Sequence, residues 1–166
     1  MKVIKMQRNS IDCIICGMEN PLSLKAKFYE LEDNTLASIF TYKNEHQSYP
    51  DRTHGGMITA LLDELMGRTL WITEPDSFGV TTSISVTFRK PVPLGKELKA
   101  HAVMTFNSRL GFTTKGELYD MDGTLLAEAT GKFLKLPPEK AFEDRSHAVD
   151  TMKYLPEKDV DEIVFP

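Results

Sequence analysis

Residues 54–73 read HGGMITALLDELMGRTLWIT. At 100° per residue, Ile58, Leu61, Leu62, Leu65, Met66 and Thr69 fall on one face, so the stretch is predicted to be a helix from His54 to Thr73. Asp51 or Thr53 is placed to cap its start, and Glu74-Pro75-Asp76 ends it. An apolar stripe this broad is expected to be buried. Ala60 and Gly67 form a ridge of small residues on another face, where a second backbone can come close.

Strand-like segments lie on both sides of this helix. Ser23–Leu31 and Thr35–Lys43 precede it, joined by the turn signal Glu32-Asp33-Asn34 and followed by the polar loop 44–53. Phe78–Arg89, Glu97–Ser108, Gly111–Met121 and Thr124–Leu136 follow it. The breaks between these four are Pro91-Val92-Pro93-Leu94-Gly95, Arg109-Leu110 and the hairpin signal Asp122-Gly123, and Pro137-Pro138 stops the last. One helix among six strands lacks the strand–helix alternation of a doubly wound fold. The economical packing is α+β, an antiparallel sheet of about six strands curled around one long central helix. The 166 residues are expected to form a single domain. Its core is about 22–137, residues 1–21 are an irregular lead-in, and 138–166 are an extension with a moderate helix and a charged surface tail.

Composition narrows the class of function. Hydrophobic residues are 41% and charged residues 27%, as in an ordinary globular protein. Twenty Lys and Arg stand against 24 Asp and Glu, a net charge of −4, which disfavours nucleic acid as a partner. No apolar run approaches the ~18 residues that suggest a membrane span, and the amino terminus lacks the apolar region of a secretory signal. No membrane association and a cytoplasmic location are the expectation. The two cysteines, Cys13 and Cys16, are spaced CIIC. Three readings stay open for them: two thiols in a turn, a zinc site, or a redox pair. Structural zinc wants four ligands, and no second pair completes the set, so no metal is expected.

The chemistry concentrates in the opening of the helix. Gly55 and Gly56 leave backbone N–H groups accessible at its positive pole, where a carbonyl can be polarised and an oxyanion held. Asp63 flanks the apolar stripe, and a half-buried carboxylate serves as general base or nucleophile. Either Asp63 or its neighbour Glu64 can be the one that faces solvent. His54 can cap or hydrogen-bond the loop.

HGG with an acid nine residues after its His resembles the hotdog-fold thioesterases, and more narrowly the PaaI-type branch of the 4-hydroxybenzoyl-CoA thioesterase superfamily. The likeness extends in order over CIICGMENPLSLKAKF, HQSYPDRTHGGMITALLDELMG, SISVTFRKPVPLGKEL and DMDGTLLAEATGKFLKL, about residues 13–137. The resemblance implies an acyl-CoA thioesterase with no cofactor beyond the coenzyme A of its substrate. It implies Asp63 as catalytic carboxylate and the Gly55 and Gly56 amides on the carbonyl oxygen, with His54 shaping the loop. Thr81 would orient the attacking water, from the other subunit of a homodimer that can pair again into a tetramer. Related enzymes carry Asn or Gln six residues before the His. Here Ser48 stands there, with Gln47 beside it as substitute. Arg89, Lys90 and Arg109 are candidates for the coenzyme A phosphates. Met57, Leu61, Leu62, Met66 and Trp71 are possible lining of an acyl pocket, or plain core. The alternative function is a non-catalytic acyl-CoA sensor, because fold does not fix activity.

Overall fold

The computed structural model describes residues 1–144 and 146–166. Seven strands, β1 Val3–Met6, β2 Lys27–Leu31, β3 Leu36–Thr41, β4 Phe78–Phe88, β5 Glu97–Asn107, β6 Gly111–Asp120 and β7 Leu125–Leu136, form one antiparallel sheet in the order β1-β2-β3-β5-β6-β7-β4. Helix α1, Gly55–Arg68, lies across it, touching β3, β4, β5, β6 and β7. A 3-10 turn, Thr69–Ile72, continues the helix with a tighter winding to the predicted end.

The six predicted strands are all present, with ends moved by a few residues. The predicted stripe is the core: Ile58, Leu61, Leu62, Leu65, Met66 and Thr69 are all buried. The sheet meets it with small residues. Ala102, Gly116 and Ala129 sit side by side on β5, β6 and β7. A Cβ on Gly116 would lie 3.0 Å from Met66 Cγ, so this row lets the helix approach the sheet. The ridge at Gly67 is covered by the chain's own sheet, since a Cβ there would stand 3.4 Å from Phe133 Cε1 on β7.

Two features depart from the sequence reading. The lead-in contributes strand β1, whose four residues are too few to carry a visible period. The surface tail beyond the short helices α2 (Pro138–Ala141) and α3 (Ser146–Thr151) is seated on β1. Val3 N–H donates to the Asp161 carbonyl (2.8 Å), Ile163 N–H donates to the Met1 carbonyl (2.9 Å), and Ile163 is buried. The β1 edge is therefore covered. The opposite edge, β4, pairs only with β7 among the described residues, and its surface includes the exposed Val80 and Phe88.

Candidate active site

The start of α1 is built by His54. It has extended backbone angles, and its Nδ1 accepts the Gly56 N–H at 2.9 Å. His54 is thus the cap, in place of Asp51 or Thr53. Thr53 is held elsewhere, its N–H on Val92 O and its hydroxyl on Pro93 O. Because His54 occupies the Gly56 amide, the roles expected of the two glycines change. Of the two glycine amides, that of Gly55 has no acceptor among the described residues. The Phe88 ring packs against Gly55, where a Cβ would lie 3.3 Å from its Cζ.

Gly55 opens into a groove of about 380 Å³, lined in part by Arg52, Phe88, Arg89 and Lys90. Two of the three predicted cations are therefore beside it. Arg89 is ion-paired with Glu128 on β7, which leaves Arg52 and Lys90 as the freer charges. Arg109 is exposed in the β5–β6 turn, away from this groove. Gln47 and Ser48 are exposed in the loop before α1, where Gln47 bridges to Thr53.

Asp63 sits elsewhere, in a cleft of about 570 Å³ whose walls include Cys13, Glu64, Trp71, Phe78 and Thr81. The Thr81 hydroxyl donates to Asp63 Oδ1 at 2.8 Å. Both residues belong to one chain, which corrects the expectation that Thr81 reaches the acid from a partner. The register of β4 against β7 shifts between Thr81 and Ser83, and a bulge of this kind re-aims a side chain. Burial pushes the Asp63 carboxyl above its ordinary range. The charge of Glu64 adds to this and the Thr81 hydrogen bond opposes it.

Glu64, the next residue, has no such freedom. Arg68 Nε donates to its Oε1 at 3.0 Å, and the Cys13 thiol donates to its Oε2 at 2.9 Å. With both oxygens held inside the protein, it is not the solvent-facing acid. Of the apolar candidates, Trp71 lines the cleft, while Leu61, Leu62 and Met66 are fully buried core. Cys13 and Cys16 are both free thiols, brought against α1 by the first turn of the chain. Nothing in the local sequence at 13–16 signals that long-range contact, although the Glu64–Arg68 spacing of four is a readable helix pair.

Eight residues separate Gly55 from Asp63, a rise of about 12 Å along the helix. The open amide and the carboxylate of one chain cannot both touch one carbonyl group.

The thioesterase superfamily model matches residues 52–127. Mouse acyl-coenzyme A thioesterase THEM4 is 31% identical over 122 residues, 69% of this chain and 49% of the relative. The chain spans about half the length of the curated relatives it matches. A crystal structure of a thioesterase superfamily protein superposes with a TM-score of 0.67 at 25% identity, covering 73% of this chain and 62% of that one. The BH2602 protein of Bacillus halodurans, solved with CoA, gives 0.61 at 25% identity, covering 68% and 75%. With its single long helix across an antiparallel sheet, the chain belongs to the thioesterase superfamily and has the hotdog fold.

Proposed function

We propose that the protein hydrolyses an acyl-CoA thioester to a carboxylate and free coenzyme A, in an active site assembled from two copies of the chain. The observation that carries this reading is the half-buried Asp63 with Thr81 donating to it in a cleft. The names of the curated relatives and the CoA bound to a structural neighbour support it.

One copy supplies Asp63 and Thr81, and the second supplies the Gly55 amide with Arg52 and Lys90 beside it. The Asp63 carboxylate takes a proton from a water that Thr81 orients. The water oxygen attacks the thioester carbon, and the Gly55 N–H holds the oxyanion that forms. Collapse expels the coenzyme A sulfur, which takes the proton. Lys90 and Arg52 suit the phosphates of coenzyme A. The open β4 edge is the surface by which two copies pair, because its backbone groups lack partners on one side. No described helix is long and apolar enough to cross a membrane.

Thiol release from short, medium, long and aromatic acyl-CoA esters tests the reaction. Asp63→Ala is expected to lose at least ~100-fold, about 2.7 kcal/mol of transition-state stabilisation. Acyl-CoA that binds the wild type without hydrolysis overturns the enzyme reading and leaves a sensor. Gly55→Pro removes the N–H at a helix position that tolerates proline. Mixing it with Asp63→Ala by denaturation and refolding should restore about a quarter of wild-type activity, because half the pairs are mixed and each has one intact site. No recovery sinks the two-copy assembly.

A further inference from the structure

We propose that Cys13 and Cys16 form a thiol–disulfide exchange site: a small disulfide such as glutathione disulfide reacts at Cys13, and Cys16 then displaces it to leave an internal Cys13–Cys16 disulfide. The inference does not depend on the hydrolase reading.

The two sulfurs are held differently. Cys13 is partly exposed and lines the Asp63 cleft, so an external disulfide reaches it. Its thiol points at a base, the Glu64 carboxylate at 2.9 Å. Cys16 is buried, with its sulfur 2.9 Å from Arg68 Nη2 and 3.3 Å from the Ser10 hydroxyl. Arg68 cannot swing away. Its guanidinium lies between the Phe28 and Trp71 rings, 4.3 and 4.7 Å from their centroids, and also donates to the Arg8 carbonyl at 2.8 Å. A fixed, buried guanidinium favours the thiolate of Cys16. The neighbouring Cys13 thiol and the Arg68 charge lower the Cys16 thiol against the cost of burial. The proximity of Cys16, burial and the Glu64 charge push Cys13 up.

The backbone brings the pair together. Gly17 N–H donates to the Cys13 carbonyl at 2.8 Å, and a Cβ on Gly17 would lie 2.4 Å from that oxygen, so only glycine closes this turn. The two sulfurs and the nearer Glu64 oxygen lie within 4.8 Å of one another. These three atoms also make a possible divalent-metal set. Arg68 already brings positive charge within 2.9 Å of both Cys16 and Glu64, which favours free thiols over a bound cation.

The steps balance. Glu64 accepts the Cys13 proton as the sulfur attacks the external disulfide, and the released thiolate takes that proton. The Cys16 thiolate then attacks the Cys13 sulfur and expels the second half as a thiolate. Two protein sulfurs are oxidised and one external disulfide is reduced to two thiols.

The test is to incubate the native full chain with glutathione disulfide, quench with acid, alkylate and measure mass. The expected product has lost two hydrogens, takes no alkylating agent, and joins Cys13 to Cys16. In Cys16→Ser the glutathionyl group should remain on Cys13. In Cys13→Ser, Cys16 should stay unmodified. Wild-type thiols that both remain alkylatable overturn the proposal, as does a wild-type chain that stops at a glutathionyl adduct. Stoichiometric zinc on the purified protein, with thiols that react only after chelation, overturns it in favour of a metal site. The wild-type arm decides the matter even if a variant fails to fold.

Discussion

Asp63 and Glu64 are neighbours on one helix, yet they face opposite fates. Asp63 has a single hydroxyl for a partner, and burial holds its carboxyl above the ordinary range. Glu64 is bound on one oxygen by Arg68 and on the other by Cys13. A 100° step around α1 separates a carboxylate left in the cleft with one partner from one held on both oxygens. The difference lies in what the rest of the chain delivers to each side. A bulged strand brings one hydroxyl to Asp63, while the amino-terminal turn brings a thiol to the Glu64–Arg68 pair.

This contrast can be broken from the Glu64 side first. Arg68→Met leaves a mostly buried carboxylate without its cation and is expected to cost about 3–5 kcal/mol of stability, read by urea denaturation. A loss under ~1 kcal/mol would mean the Glu64 network is not structural. On the Asp63 side the order of effects reverses. Asp63→Ala should abolish most turnover while leaving the urea midpoint nearly unchanged, whereas Glu64→Gln should show the larger shift in midpoint. Equal effects on both properties from both variants would erase the distinction.

A smaller effect sharpens the role of Thr81. Thr81→Val removes the hydrogen bond that favours ionised Asp63. Turnover should fall about tenfold, the size of one positioned hydrogen bond at ~1.4 kcal/mol. The acid limb of the pH–rate profile should move to higher pH, because the remaining influences on Asp63 both raise it. A limb that moves down excludes the assigned hydrogen bond.

The smallest effect is on stability. The folded chain disfavours ionised Asp63, whereas the unfolded chain ionises at the ordinary carboxylate pH. Wild-type stability therefore drops as pH rises through that interval and stays lower above it. Asp63→Asn keeps an acceptor for Thr81 and escapes this loss. It should equal wild type or fall below it in acid and overtake it near neutral pH, as measured by denaturant midpoints across pH. A difference that does not vary with pH would contradict the raised carboxyl.

The sequence makes the frame of the molecule legible because it is locally periodic. The stripe from Ile58 to Thr69 and the long alternating strands after residue 78 each declare themselves within a few turns or pairs. What stays hidden depends on distant partners. Strand β1 exists because β2 and the tail around Ile163 cover it. Which glycine amide is open depends on the orientation of one side chain, His54. Thr81 falls within reach of Asp63 because β4 bulges there, and one amino-acid string does not reveal which copy a neighbour belongs to. The thiol cluster required residues 13–16 to fold back onto positions 64 and 68, a separation that no local pattern encodes.

The two edges of the sheet set a rule for growth. A strand edge recruits another edge, and a sheet with two bare ends can add chains without limit. Here the segment around Asp161–Ile163 occupies the β1 end, and among the described residues β4 is left bare. Pairing through β4 uses up the bare edge of both chains at once. Edge-to-edge addition then stops at two, and any larger assembly has to be built through faces. In a pair formed through β4 as proposed, the tail acts as a chain terminator, and its deletion is expected to give a unit able to propagate as a ribbon.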